Sequence, residues 1–416
     1  MDNSEFALSN EKVAASFNTV PLSDTVNAFP MQYFPVVSVD ESFLLFTRRL
    51  GTTSQFDEDL VISYKDENGK WGKPQSLSDN INSMYNEGTC TISADGRTLI
   101  FTSCYGRNGY GSCDLYISVK SGDEWSRPEN LGGVVNSSAW DSQPSLSADG
   151  RTLYFISNRG GGLGGRDIWY TNKDDRNRWT KPQNMGPVVN TVNDEVSPFI
   201  HPNNKTLYYG TNGLPGFGGF DLYYSIDEGQ GWSKPKNMGA PINNAEDQVS
   251  LFITSSGTKG YYSNEDQKSK RKGLLYEFEL AGLHALEYNV AYVQGKITDA
   301  ETGTPLKAQI ELFDINLNQR VSLIDSDSIT GEYLMVLTEG SNYALYVNKL
   351  GYLFTSNTFS FDAEIALGAK AITKDIALDK IKEGAVTNLR NIFFATDEYE
   401  LSPDSHAELE KVKRFL

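Results

Sequence analysis

The feature that most limits how this chain can fold is a line that it writes several times. From Pro144 the sequence reads PSLSADGRTLYFISNRGGG, and from Cys90 it reads CTISADGRTLIFTSCYGRN. Asp95 and Asp149 hold the same place in the two copies, Asn203 in HPNNKTLYYGTNG holds it in a third, and Asp40 in VVSVDESFLLFTRR in an earlier one. Trp71, Trp125, Trp179 and Trp232 keep the same step, each followed three residues later by Pro (Pro74, Pro128, Pro182, Pro235). So do Asn27, Asn82, Asn136, Asn190 and Asn243, each after Val or Ile. A period of about 50 residues is the mark of a propeller or solenoid array, whose units cannot bury their apolar faces alone.

One unit, Ser145 to Val196, reads as four strands. SLSADG alternates and ends in an Asp-Gly turn. RTLYFIS is β-rich, and NRGGGLGG is a loop whose glycines permit positive φ. RDIWYTN is a third strand, DDRNR a polar turn and WTKPQNMG a fourth strand, with Pro182 at an outer edge where a missing donor matters least. Four antiparallel strands, repeated, make a propeller blade. First strands begin near Phe34, Thr89, Pro144, Ser197 and Ser250, so the expectation is an all-β, five-bladed propeller over residues 1–282. The fifth unit lacks a Trp-x-x-Pro segment, and ASFNTVPLSDTVN precedes the first unit. Residues near Ala15 to Leu22 are therefore expected to supply the fourth strand of the last blade, leaving no edge exposed.

The iterated Ser-x-Asp-Gly turn resembles the WD-like repeat of TolB-type periplasmic proteins. So does the later Asp-Leu/Ile-aromatic run, at Asp114-Leu115-Tyr116, Asp167-Ile168-Trp169 and Asp221-Leu222-Tyr223. After GLHALEYN the period stops. VQGKITDAETGTPL, with a turn at Thr302-Gly303 and Pro305 before the next strand, resembles a carboxypeptidase regulatory-like domain. That implies a small β-sandwich at 290–379 without peptidase chemistry. Residues 388–416 hold an apolar strand at Asn391 to Phe394, then Ser402-Pro403, an N-cap with Pro at the first helical position. Leu401, Pro403, Ser405, Glu408 and Leu409 match the start of an OmpA-like peptidoglycan-binding domain. The ligand-holding Asp and Arg of that family lie beyond residue 416, so the expectation is a truncated domain: an orphan strand and helix too small to bury a core. Peptidoglycan binding is then expected of a longer parent protein only. This order of domains is similar to that of the OmpA-family periplasmic component of the type IX secretion system. The resemblance implies a periplasmic, outer-membrane-associated protein with protein partners at the outer membrane, whose signal and lipid anchor are not in this sequence.

A formal net charge of −17 argues against nucleic acid, which needs Lys/Arg surfaces. No apolar run reaches the 18 or more residues of a spanning helix. Of three cysteines, Cys104 and Cys113 flank one Gly-rich loop, where a bridge and two free thiols both fit. No cofactor or metal site is expected. The glycine-rich loops lead into strands, so no helix dipole is there to hold phosphate, and Asp57, Glu58 and Asp59 lack the spacing of a calcium loop. His201, at a strand end before Pro202, reads as a turn residue, and the five repeated Asn residues as turn residues too.

Five residues after each Val/Ile-Asn stand Gln32, Glu87, Asp141, Glu195 and Gln248. They precede the first strands, which line a propeller's channel, so they are expected to ring one channel mouth. Such a ring focuses field on a cation, a Lys/Arg side chain or a chain terminus; the same spacing also suits caps for neighbouring backbone N–H groups. The leading expectation is a non-enzymatic scaffold that binds protein partners. The rivals are a propeller hydrolase using Glu87, Asp141 or Glu195, and a sensor that holds a glycan or muropeptide in the channel.

Overall fold

The computed structural model describes residues 3–10, 19–51, 57–174, 176–264, 273–280, 290–339, 341–361, 371–384, 389, 392, 401 and 403–415. Contacts divide the chain into two units, residues 1–120 with 124–287, and residues 288–416 with 121–123.

Among the described residues the first unit carries five antiparallel sheets. Phe43–Arg49 pairs with Met31–Val37 on one side and Glu58–Tyr64 on the other, with Gln75–Ser76 outermost. The next sheet runs Asn86–Ile92, Thr98–Cys104, Cys113–Ser121 and Glu129–Asn130, with Glu124–Trp125 folded back on the third strand. Asp141–Leu146, Thr152–Ser157, Asp167–Asn172 and Gln183–Asn184 form the third. Glu195–Ile200, Thr206–Thr211, Asp221–Ile226 and Lys236–Asn237 form the fourth. In the fifth, Val249–Ile253, Lys259–Asn264 and Leu274–Glu279 are completed by Thr19–Pro21, which sets Thr19 opposite Phe278 and Pro21 opposite Tyr276. The two ends of the unit thus share one sheet, and the outer donors of Leu274–Glu279 are paired instead of exposed. The five first strands are neighbours in chain order, and the last, Val249–Ile253, returns to the first, Met31–Val37.

The short outermost strands follow from Pro74, Pro128, Pro182 and Pro235, each of which stands one place before such a strand. Pro cannot donate to the ladder, so regular pairing is confined to the two residues after it. The Asp-Gly turns close as expected: Gly96 and Gly150 stand at φ 71° and 68°, and Ser147 and Asp149 take the N–H groups of Thr152 and Arg151. Between sheets the core is aromatic and aliphatic, with Phe46, Phe101, Phe155, Tyr209 and Tyr261 among the largest buried side chains.

The second unit carries two sheets. Val290–Asp299 pairs antiparallel with Glu332–Thr338 and parallel with both Ala371–Thr373 and Ile376–Leu378. The other sheet runs Gln319–Asp325, Gln309–Asp314, Asn342–Asn348, Thr355–Ser360. Val293, Ile310, Leu312, Leu337, Leu345 and Val347 are fully buried in the core between them. The C-terminal helix Pro403–Phe415 starts where Pro403 places it. It does not stand alone as the sequence suggested. Val412 packs with Phe313, Tyr346 and Phe354, Ser356 Oγ donates to Glu408 Oε1 at 2.7 Å, and Lys411 pairs with Glu311. The strand expected at Asn391 to Phe394 lies, Ile392 apart, outside the described residues.

Candidate functional site

Each first strand of the first unit opens on one member of the expected ring or one place from it. Their exposure differs from the expectation. Gln32, Glu87, Asp141 and Glu195 are 0% exposed and Gln248 1%. Their polar atoms are taken by the loop that leads into the strand. Glu87 accepts the N–H and hydroxyl of Ser83 at 2.8 and 2.6 Å. Asp141 does the same with Ser137 at 2.6 and 2.8 Å, and Glu195 with Thr191 at 3.0 and 2.7 Å. Gln248 accepts from Asn244 N–H at 3.0 Å and donates to its side chain at 2.9 Å. Gln32 accepts from Phe29 N–H at 3.0 Å and donates to the Gly273 carbonyl at 2.7 Å. A buried carboxylate is kept only where such donors satisfy it, so no open acidic ring forms.

The charges are balanced unequally. Arg107 Nε lies 3.2 Å from Glu87 Oε1 and Arg159 2.5 Å from Asp141 Oδ1. Arg159 also donates to the Val135 carbonyl at 2.8 Å. Glu195 has neutral partners instead, the Thr191 N–H and hydroxyl and the Thr211 hydroxyl at 2.9 Å. Burial therefore pushes its carboxyl up to about 7, against the pull of those hydrogen bonds. Burial raises Glu87 as well, with Ser83 and Arg107 pulling the other way.

Two residues past each ring member the strand bulges. Phe34, Thr89, Gln143, Ser197 and Ser250 have φ of 55°, 30°, 54°, 52° and 61°, and the register slips at each. A left-handed residue other than Gly costs on the order of 1–3 kcal/mol and persists only where the surroundings over-determine it. At three of the five the neighbouring sheet contributes: Thr89 N–H donates to Thr47 Oγ1 at 3.1 Å, Gln143 N–H to Thr89 Oγ1 at 3.3 Å, and Ser197 N–H to Gln143 Oε1 at 2.7 Å. Further along, Leu146 N–H reaches Thr91 Oγ1 at 3.0 Å and Ile200 N–H reaches Ser145 Oγ at 2.9 Å.

These bulges border a cavity lined by all five first strands, with room for the centres of water molecules over about 80 Å³. That exceeds what one water needs. The cavity runs from the bulges towards the Ser93-Ala94 and Ala148 turns, away from the ring residues. Its wall is largely apolar, with Val36, Pro144, Leu146, Pro198 and Phe252. The Ser197 and Ser250 hydroxyls are buried on it without a hydrogen-bond partner.

Three residue sets do more than the sequence suggested. Asn27, Asn82, Asn136, Asn190 and Asn243 are not only turn residues: each side chain grips the third strand of the preceding sheet in sequence, or for Asn27 of the fifth, through both N–H and C=O of one residue. Asn190 holds Ile168 at 2.9 Å in both directions, and Asn243 holds Leu222 at 2.7 and 2.9 Å. His201 is fully buried. Its Nδ1 accepts from Asn203 N–H at 3.1 Å and its Nε2 faces the Thr254 carbonyl at 3.0 Å. Those partners require the neutral Nε2–H tautomer, and burial lowers the ring to about 4. Cys104 and Cys113 form a disulfide across one register pair, and Cys90 is a buried free thiol. Among the described residues no group of three or more His, Cys, Asp or Glu could hold a metal ion, and no helix is long and apolar enough to cross a membrane.

No protein-family model and no curated protein matches the chain. Solved structures similar to it include TolB from Acinetobacter baumannii, at 12% identity over 60% of this chain and 54% of that one, with a TM-score of 0.38. The catalytic domain of a GH62 alpha-L-arabinofuranosidase from Coprinopsis cinerea is similar at 12% identity, over 63% of this chain and 96% of that one, with a TM-score of 0.42. The tricorn protease is similar at 13% identity, over 61% of this chain but only 25% of that one, with a TM-score of 0.36. This chain thus spans about half the length of the TolB chain and a quarter of the protease.

Proposed function

We propose that the first unit is a five-bladed propeller acting as a non-enzymatic, periplasmic protein-binding scaffold, and that its channel meets the partner. The observation that carries this is the cavity ringed by five strained bulges, with an apolar wall and two unpartnered hydroxyls. A pre-formed, mostly apolar recess with a few polar groups suits a side chain or short segment of another polypeptide. Gln32, Glu87, Asp141, Glu195 and Gln248 act in this reading as positioning residues, fixing the loops at the far end of the same strands. Association with the outer membrane, a type IX secretion-like assembly and a peptidoglycan anchor in a longer parent protein belong to the same proposal, on the strength of the domain order read from the sequence. The hydrolase reading needs a carboxylate that substrate can reach, and the three candidates are buried behind their own hydrogen bonds.

The test is capture from envelope extract by the intact chain and by an Ala94→Trp/Ala148→Trp variant, which fills the turn end of the cavity. A partner captured by the first and lost by the second supports the reading. Equal capture moves the interface off the channel, and no specific partner for the intact chain overturns it.

A further inference from the structure

Three hairpin loops of the first unit share one construction. An Asp in the first or second place of the third strand takes the N–H groups of the residues four and three places before it. Asp114 holds Tyr110 and Gly111 at 2.5 and 2.9 Å, Asp167 holds Leu163 and Gly164 at 2.6 and 3.0 Å, and Asp221 holds Phe217 and Gly218 at 2.9 and 3.3 Å. Tyr110, Leu163 and Phe217 are thus equivalent apolar tips.

One of the three tips is covered by the chain itself. Helix α1, Asn3–Asn10, lays its first turn on the Phe217 loop. Gly216 N–H donates to Asn3 Oδ1 at 3.1 Å, and Asn3 Nδ2 donates to the Gly218 carbonyl at 3.3 Å. Three residues on, Phe6 meets Phe217 edge to face at 5.6 Å. An Asn amide carries one acceptor and a donor pair on a short stem, so it can bridge the N–H before a tip and the C=O after it. The spacing of three places the aromatic ring on the same helix face as the amide. Beneath α1, Gly216 is buried and Phe217 half-buried. At the equivalent loops Tyr110 is 56% and Leu163 45% exposed, and Gly109 and Gly162 are exposed with them.

We propose that the Tyr110 and Leu163 loop tips are docking sites for helical segments of a partner polypeptide that begin Asn-x-x-aromatic, the pattern with which Asn3 and Phe6 cover the third tip. The proposal rests on the protein-binding reading of this unit and names the chemistry of one partner surface. An isolated helix of this length is marginal in water, so each site alone is weak. Two equivalent sites on consecutive sheets let a partner with two such segments bind by effective concentration.

The probe is a peptide of residues 1–12 with p-benzoylphenylalanine in place of Phe6, irradiated with the intact chain and its crosslinks mapped by mass spectrometry. Crosslinks are expected on 109–111 and on 162–164. Tyr110→Asp removes the first set and Leu163→Asp the second, each leaving the other as its folding control. An Asn3→Ala change in the peptide lowers both about tenfold, the loss of roughly one buried hydrogen-bonded bridge. Crosslinks confined to 216–218 mean only exchange with the chain's own helix and overturn the proposal, as does their absence from all three loops. Either failure leaves cavity-dependent partner capture intact, because filling the channel does not alter these loops.

Discussion

The third and fourth sheets of the first unit come from the same repeat, yet they hold their buried carboxylate in opposite ways. Asp141 sits against Arg159, with Ser137 and Ser157 completing its shell. Glu195 has Thr191 and Thr211 in the serine places, and Gly213 stands two past Thr211 as Arg159 stands two past Ser157. A Cβ at Gly213 would fall 1.9 Å from Thr191 Oγ1 and 2.5 Å from its Cβ. The fourth loop therefore lies too close to Thr191 at this position for a side chain such as Arg159. One sheet pairs its carboxylate with an arginine; the other leaves its carboxyl without a counter-ion, and burial raises it to about 7. The same backbone site can thus be satisfied electrostatically or by neutralisation, and local loop approach decides which.

The largest effect expected from this contrast is on removing the cation. Arg159→Ala leaves Asp141 buried without its partner and should cost about 3–5 kcal/mol of the stability of this unit. Glu195→Gln, by contrast, replaces a carboxyl that burial raises to about 7 and that has no counter-ion to strand, and should cost less than about 1 kcal/mol. Urea unfolding of the two variants, followed by Trp fluorescence, checks this. Equal losses would break the comparison.

The second effect is a pH dependence of fixed sign. With the folded Glu195 carboxyl at about 7 and the unfolded one near its ordinary 4.5, the folded state binds the extra proton between those values. Its contribution is fully present below pH 4.5 and is lost as pH rises through 7, a swing on the order of 3 kcal/mol. Glu195→Gln should flatten that part of the stability profile. His201 works in the other direction: lowered to about 4, it contributes stability above pH 6.5 that is lost as pH falls through 4. His201→Ser, which installs the residue found at positions 93 and 147, should remove the acid-side loss. If Glu195→Gln tracks the wild type from pH 5 to 8, the protonated reading fails.

A smaller effect separates the second sheet from the third. Both use an Arg, but Arg107 rides on a loop closed by Cys104–Cys113, nine residues apart. A loop of that size corresponds to about 2.5 kcal/mol of chain entropy. The double variant Cys104→Ser/Cys113→Ser should lose about that much, and limited proteolysis should open 105–112 while sparing 159–166. Cleavage at both loops alike would mean that the disulfide is not what holds Arg107 against Glu87.

Much of the fold could be read from spacing. The period, the Asp-Gly turns, the short strands after Pro and the use of residues near Thr19 to complete the last sheet all follow from where apolar, Gly and Pro residues stand. The candidate site was legible only in part. Spacing placed Glu87, Asp141 and Glu195 at the head of their strands, but whether a carboxylate is open or spent depends on what folds back onto it. A signal was present: Ser83, Ser137, Thr191 and Asn244 each stand four residues before their ring member, donors at the distance of a closed loop. The cavity was not legible, because the bulges that shape it occur at Phe, Thr, Gln and Ser, types with no preference for positive φ. At Thr89, Gln143 and Ser197 the strain is matched by hydroxyl and amide groups of the adjacent sheet, a long-range cause that no local pattern announces. The seating of the C-terminal helix in the second unit was hidden for a similar reason, since Glu408, Lys411 and Val412 find Ser356, Glu311 and Phe313, partners far away in the sequence.

The smallest contrast lies at the outer strands. Lys65 Nζ stands 4.6 Å over the Trp71 ring and Lys173 Nζ 4.9 Å over Trp179, whereas Trp232 instead meets the Tyr154 ring edge to face at 6.2 Å. In the first and third sheets the Trp before the outer strand thus carries a lysine on its face, whereas in the fourth that Trp packs on a ring and the lysine, Lys236, lies over Tyr224 at 5.9 Å. Lys173→Met keeps the apolar stem and removes the charge, so it isolates the electrostatic part, about 0.5–1 kcal/mol at a half-exposed site. Salt separates the two cases further. The lysine contacts weaken as ionic strength rises, so the gap between wild type and Lys173→Met should narrow from low salt to 1 M. A Trp232→Leu variant should show no such narrowing. A gap for Lys173→Met that is independent of salt would make its stem, not its charge, the feature that holds the outer strand.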